Sequence, residues 1–372
     1  MDVAVIGSGL IGLAIARELA LRGHAVTVVD AGAPARAASW AAAGMLAPYT
    51  EAVDDAALLS LCVRSLGLYP AFAAALRDES GIDPNLLLDG ITVAAFDDAG
   101  LRALQARAAS LGAGGVTHRV LDAAAMRGLE PSIDRAVLGG LTIEREGQVD
   151  NRLLGQALHA ACLTRGVRVL ADLGPVAIEA DARRVRGLRT SRGFLTAPAI
   201  VNAAGAWSGH IDGLPPAARP PVFPVKGQMV ALHMPHPLVR RVTWVPGAYL
   251  VPRPDGRLLV GATVERAGFD VRVTGGAIDG LRSAAGEAFP ALRNLDAAEA
   301  WAGLRPGSPD GLPYIGRTAL EGLYDASGHG RNGVLLTPVT AQAIADLVDG
   351  KPCSPDVAAA SPLRDRAPAL TA

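Results

Sequence analysis

The 372-residue sequence carries 35 Lys and Arg against 36 Asp and Glu, a formal charge of -1 that gives no electrostatic reason to expect nucleic acid or an anionic membrane as partner. Its length exceeds the usual size of one hydrophobic core, so two domains are expected, with interleaving allowed. Cys62, Cys162 and Cys353 lie far apart with no CxxC pair and no Cys/His ligand spacing, which argues against a disulfide framework or any metal site and for a reducing, cytoplasmic setting.

Asp2 to Ile6 is a short apolar run ending in glycines, and Leu13 to Arg22 follows with strong helix formers and with Arg17, Glu18 and Arg22 crowded on one side. Asp2, Arg17 and Glu18 interrupt this apolar start, and it lacks a basic leader, so it is not read as a signal peptide. Gly23 stands where a left-handed helix cap is expected, and Ala25 to Val29 reads as a second buried strand ending at Asp30. The unit is βαβ. Helical patterns over Leu58 to Arg77 and Ala99 to Leu111 flank a strand-like Gly90 to Ala95. No uninterrupted apolar run approaches the roughly 20 residues needed to span a bilayer. Gln148 to Asp150 introduces a helix over Leu153 to Arg165. Val167 to Leu170 and Val176 to Ile178 read as strands, followed by a hairpin around Ser191 to Gly193 and a β-rich run to Asn202.

The Pro-rich stretch Leu214 to Pro224 predicts a crossing between domains. Strands are expected at Gln228 to Leu232, Tyr249 to Arg253 and Arg257 to Thr263, the last two joined by an Asp255-Gly256 turn. Leu281 to Phe289 is helical, Leu323 to Ala326 a strand and Pro338 to Val348 a helix. The final residues, rich in Ala, Pro and Ser, are read as a tail.

Five segments carry candidate chemistry. Gly7-Ser8-Gly9-Leu10-Ile11-Gly12 follows a strand and opens a helix, with Asp30 eighteen residues after Gly12. Gly7 suits the turn, Gly9 lets a pyrophosphate approach backbone, Gly12 allows helix–strand packing, and Asp30 is placed for ribose hydroxyls. The motif points to a dinucleotide without separating FAD from NAD. Ala199 to Trp207 is an apolar strand running into small residues, and Ala41 to Met45 is a small-residue run that suits either close approach to a flat ligand or an Ala-rich helix. Gly328 to Gly333 is a flexible loop before Thr337-Pro338, read as N-cap and first helical residue, whose positive end would stabilise an anionic reduced flavin if it faced one. Trp301 to Pro306 places Arg305 between Gly-Leu and Pro. Arg305 with Tyr249 would suit one carboxylate, whereas an isolated arginine is more often a solvated charge.

Taken in order, these segments resemble the D-amino-acid-oxidase-like flavoenzymes, in particular the glycine oxidase branch associated with thiamine biosynthesis. The resemblance extends over nearly the whole chain: the glycine turn with Asp30, Ala42 to Met45, Gly147 to Asp150, Val201 to Gly205, Pro224 to Gln228, Leu258 to Thr263, Trp301 to Pro306, Asp310 to Gly316 and Gly328 to Gly333. It implies an α/β fold in which a Rossmann-like FAD-binding domain (1–86, 147–222 and 303–358) interleaves with an α+β substrate domain on an antiparallel sheet (87–146 and 223–302), with a tail over 359–372. By that likeness Leu10, Ile11, Asp30, Ala31, Ala38, Ser39, Ala43, Gly44, Met45, Val176, Gly205 and the run His329, Gly330, Arg331, Asn332, Gly333, Val334 and Leu335 line FAD, beside Gly7, Gly9 and Gly12. Arg305 holds the substrate carboxylate, helped by Tyr249, with Arg331 closing the pocket. Ser308, Pro309 and Asp310 occupy the region where covalent-flavin relatives have cysteine, so the FAD is expected to be noncovalent.

Two departures bear on substrate. Gly330 stands where glycine oxidases usually have an aromatic residue, and Val264 where methionine is common, leaving room for something bulkier than glycine. The implied chemistry is hydride transfer from Cα of a small amino acid or secondary amine to flavin N5, giving an imino acid, then an oxo acid, with oxygen as acceptor and hydrogen peroxide as product. A dehydrogenase feeding a different acceptor and a non-catalytic flavin-binding subunit remain alternatives, and a homo-oligomer is allowed.

Overall fold

The computed structural model describes residues 1–51, 55–181 and 183–364. Val- and Ile-rich segments form a six-stranded sheet in the order Tyr314–Arg317, Leu323–Ser327, Ala199–Asn202, Asp2–Ile6, Ala25–Val29, Arg168–Leu170. All neighbours are parallel except the first pair. Both faces of such a sheet need cover. The helices Leu10–Leu21, Asn151–Thr164, Ala56–Ser80 and Thr337–Val348 bury their apolar sides in one cluster with residues such as Val3, Val5 and Val28.

An eight-stranded sheet forms the second layer, in the order Ala297–Gly307, Phe223–His233, Arg257–Gly261, Ala248–Pro252, Thr243–Val245, Ile91–Ala95, Gly139–Ile143, His118–Asp122. Its pairs are antiparallel apart from Thr243–Val245 beside Ile91–Ala95. The chain therefore visits one sheet, leaves for the other and returns, as the α/β reading with interleaved sheets requires.

Side-chain caps set several helix starts. Asp55 accepts from the amides of Ala57 and Leu58, and Asp150 from those of Arg152 and Leu153. Helix Ala56–Ser80 is by length and composition apolar enough to cross a membrane. In this fold its Leu61, Cys62, Tyr69 and Leu76 are buried in the main core, and Tyr69 donates to the Val334 carbonyl at 2.5 Å.

The predicted elements are present, with ends displaced by a few residues. Several strands have no counterpart in the sequence reading, among them His118–Asp122, Gly139–Ile143, Thr243–Val245, Tyr314–Arg317 and Ala297–Gly307. The last contains Gly303, Pro306 and Gly307, residues disfavoured in strands. Eleven residues long, it pairs with the equally long Phe223–His233, where Pro306 faces Pro224 near one end. Thr337 is also not an N-cap: Leu336 holds that position, and the Thr337 hydroxyl donates back to the Gly333 carbonyl at 2.9 Å. The preceding turn already supplies helical bonds, with Leu336 N donating to Asn332 O, so the helix starts a residue earlier. Beyond Ala359, Arg364 packs over the Tyr314 ring and pairs with Asp310 at 2.8 Å, while the part of the expected tail from 365 to 372 lies outside the described residues.

Candidate active site

A single cavity of about 940 Å³ runs from the glycine turn to the antiparallel sheet. At one end Gly7 adopts φ +102°, and a Cβ there would sit 2.4 Å from the Ala203 carbonyl oxygen, so the turn admits only glycine. Gly9 caps the helix Leu10–Leu21 without a side-chain partner, and the amide of Leu10 donates to Ser39 Oγ at 2.9 Å. Asp30 accepts from the amide and hydroxyl of Ser8, each at 2.6 Å, and from Gly32 N at 3.0 Å. The carboxylate expected to meet ribose is thus seen to brace the turn beside it. Gly12 is not in the wall; a Cβ there would meet Gly7 O at 1.9 Å, which makes it the packing glycine of the motif.

The middle wall is the segment 37–45, containing Ala38, Ser39, Ala43, Gly44 and Met45. Gly44 has φ +73°, and a Cβ would fall 2.0 Å from Val149 O. The buried Arg253 ties this segment down, donating to Ala43 O at 2.8 Å, Val149 O at 3.1 Å, Gln148 Oε1 at 2.6 Å and Asn151 Oδ1 at 3.0 Å. Burial pulls its guanidinium down to about 10, still charged at neutral pH, with Asp150 opposing the fall. Gly147 to Asp150, conspicuous in the sequence, serves here as a buttress. Trp301 Nε1 donates to Ala41 O at 3.0 Å and fastens the same wall to the second sheet.

Ala31, Val176, Gly205, His329, Gly330, Gly333 and Val334 also face the cavity, together with Ile11 and Leu10. Asn332 and Leu335 do not: they are buried behind the loop, Leu335 in the main core. His329 is buried with Nε2 3.1 Å from the Thr340 hydroxyl, and burial lowers its pKa from 6.5 to about 3. The unfolded chain accepts a proton below about 6.5 that the folded chain refuses. The stability this provides is whole above that pH and is lost as the pH falls towards 3. Lowering the pH from 7 to 5 should cost about 2 kcal/mol through this ring. Urea midpoints at the two pH values should show a shallower dependence for His329→Gln than for the parent.

The far end gathers Arg305, Tyr249 and Arg331 in the same cavity. Arg305 Nη1 donates to Thr263 O at 3.2 Å and Lys226 O at 3.5 Å, which fixes the guanidinium and leaves it without a carboxylate partner among the described residues. It lies over Gly227, where a Cβ would be 2.3 Å from Nη1. The Tyr249 ring is seated over Gly261 in the same way, 2.7 Å from where a Cβ would be. Burial raises the phenol, opposed by the Arg305 charge. Glycines in Pro224 to Gln228 and Leu258 to Thr263 are therefore the seats of these two side chains. Gly330 faces open space, and Val264 is 65% exposed on the cavity wall.

Sequence reasoning missed Glu51, Trp244 and Met229, all in the cavity wall. The only available signal for Glu51 was a single acid after the apolar run Met45 to Ala47. Burial raises its carboxyl to about 7 against the opposing charges of Arg331 and Arg305.

A glycine turn with a helix N-terminus at one end of a chamber, and fixed guanidinium and phenol groups at the other, defines the class: a dinucleotide-dependent oxidoreductase. The chain belongs to the DAO family of FAD-dependent oxidoreductases, whose pattern matches residues 2–347. It is 38% identical to a glycine oxidase of Pseudomonas aeruginosa over 94% of this chain and 95% of that one. It is 38% identical to the bifunctional protein ThiO/ThiG of Synechocystis over 98% of this chain but 54% of the relative, so it spans about half the length of the bifunctional relatives it matches. The crystal structure of glycine oxidase from Geobacillus kaustophilus superposes with a TM-score of 0.92 at 34% identity, over 98% of this chain and 99% of that one. FAD fits the residues present, because the glycine-lined turn and the small-residue wall leave space that side chains would fill.

Proposed function

We propose that the protein oxidatively deaminates glycine or another small amino acid or secondary amine. The observation that carries this reading is the convergence of Arg305 and Tyr249 on the cavity whose other end is the Gly7–Gly9 turn. Arg305, already held by two carbonyls, offers its remaining donors to a substrate carboxylate. Tyr249 adds a phenol, and Arg331 closes the chamber. With the carboxylate fixed, the apolar walls at Met229, Trp244 and Ala262 hold the amine-bearing carbon in place and keep water away.

FAD, when bound, supplies the acceptor for the hydride leaving Cα and passes the electron pair to oxygen, giving hydrogen peroxide. The nitrogen lone pair forms the C=N bond as the hydride departs, so no side-chain base on carbon is needed. Water then hydrolyses the imino acid to an oxo acid, releasing the nitrogen as ammonia or, from a secondary amine, as a primary amine. Noncovalent FAD is held by Gly7, Gly9, Leu10, Ile11, Asp30, Ala31, Ala38, Ser39, Ala43 to Met45, Val176, Gly205 and, from the loop, His329, Gly330, Arg331, Gly333 and Val334. The stretches 1–86, 147–222 and 303–358 make the cofactor domain and 87–146 and 223–302 the substrate domain, with Arg305 reaching the substrate from the strand Ala297–Gly307, which crosses the boundary at 303. A cytoplasmic role in making the thiazole of thiamine is proposed for its setting, by likeness to the glycine oxidase branch.

The test is anaerobic addition of glycine, sarcosine, D-proline and D-alanine to the flavin-loaded protein. Bleaching of the yellow flavin band by at least one, with peroxide released under air, is expected. Bleaching without peroxide would identify a dehydrogenase instead. A flavin that none of them reduces would overturn the proposal.

A further inference from the structure

The substrate end of the cavity holds a charge that the proposed chemistry does not use. Glu51 faces the cavity with its side chain only 8% exposed, and its Oε2 lies 3.4 Å from Arg331 Nε. That oxygen makes no hydrogen bond among the described residues. Arg331, by contrast, is 53% exposed and so is accessible to a ligand. Burying a carboxylate is costly unless its surroundings hold it. Here the Arg331 and Arg305 charges oppose that cost, and a second buried acid fixes the turn. Glu146 accepts from the amides of Tyr49 at 2.5 Å and Thr50 at 2.9 Å and from the Thr50 hydroxyl, and Arg107 donates to the Tyr49 carbonyl. The turn that carries Glu51 is thus pinned on the side away from the cavity.

With Glu51 ionised, two guanidinium groups and one carboxylate leave the substrate end with a single surplus positive charge, which matches one substrate carboxylate. We propose that Glu51 is a specificity-determining residue: by occupying Arg331 it restricts the chamber to amines with one acidic group and rejects those with two. The inference rests on the reading that Arg305 takes the substrate carboxylate. A second acidic group would have to displace Glu51 from Arg331, leaving one of the two anions unpaired in a partly dry site, or lie beside Glu51 and be repelled.

The test uses flavin-loaded protein at about pH 8.5, above the raised carboxyl of Glu51. Acetate, malonate, succinate and glutarate serve as non-oxidisable probes, with binding read from perturbation of the flavin spectrum and by calorimetry. Glu51→Gln keeps the side-chain size and removes the charge. It should improve binding of at least one dicarboxylate relative to acetate by about tenfold or more. Adding Arg331→Gln should abolish that gain. In parallel, kcat/KM for aspartate relative to glycine should rise in Glu51→Gln.

An unchanged dicarboxylate-to-acetate ratio in Glu51→Gln, with acetate still bound through Arg305, would overturn the role of Glu51 and leave the amino-acid reading intact. Acetate binding indifferent to Arg305→Ala would overturn both. Should Glu51→Gln fail to retain flavin, the single variant Arg331→Gln decides. With Glu51 left unneutralised, it should weaken acetate by about tenfold, and unaltered acetate affinity would overturn the proposal.

Discussion

Replacing Arg305 by alanine is expected to raise the KM for the amino-acid substrate by about 10²- to 10³-fold while FAD stays bound. Removing one partner from a desolvated, hydrogen-bonded charge pair costs about 2–5 kcal/mol, and the carboxylate would lose a fork already held by Thr263 O and Lys226 O. Little stability should be lost, because no ion pair holds Arg305 among the described residues and its side-chain neighbour Tyr249 is seated independently over Gly261. Lysine should rescue the variant poorly, since a single ammonium cannot reproduce a planar pair of donors. Gly227→Ala should reproduce part of the defect without touching any charge, because its Cβ would fall 2.3 Å from Nη1 of Arg305. Steady-state kinetics and the flavin-to-protein absorbance ratio check both variants. A KM within a factor of about three of the parent would remove Arg305 from the site.

Arg253→Met should produce the opposite pattern, with loss of fold and cofactor before any loss specific to substrate. Its guanidinium joins Ala43 O, Val149 O, Gln148 and Asn151 in the interior. The change would leave those acceptors and the nearby Asp150 carboxylate, 3.8 Å from Nε, without their shared cation. Breaking such a buried network costs about 3–5 kcal/mol, a large part of the 5–15 kcal/mol that separates folded from unfolded protein. Because Ala43 and Gly44 line the cavity, FAD affinity should fall along with the urea midpoint. Equilibrium denaturation and flavin retention on ultrafiltration measure the two effects. If midpoint and flavin affinity both match the parent, the buttress assigned to Gly147–Asp150 and Arg253 is wrong.

The contrast between the two arginines shows why sequence reading separates them so poorly. Arg305 is a lone charge between Gly-Leu and Pro, in a stretch whose Gly303, Pro306 and Gly307 argue against a strand. It lies in one only because the eleven-residue Phe223–His233 pairs along its whole length. Arg253 looked like the end of a predicted strand, and nothing local indicated its four interior partners. Glu51 was unreadable for the same reason: its neighbours Arg331 and Arg305 are hundreds of residues away along the chain, and Glu146, which pins its turn, is nearly a hundred away.

What the sequence determined alone are the features that depend on neighbours a few residues apart. These are the βαβ start with its Gly7–Gly12 turn and Asp30, the helix start introduced by Gln148 to Asp150, the hairpin at Asp255-Gly256, and an ordered set of motifs specific enough to reveal the family. Backbone conformation and short-range hydrogen bonds fix these, so they are written in local composition. Only the tertiary structure decided which charges share a chamber. Electrostatic pairing depends on distance in space, and that distance is set by two sheets whose strands come from remote parts of the chain.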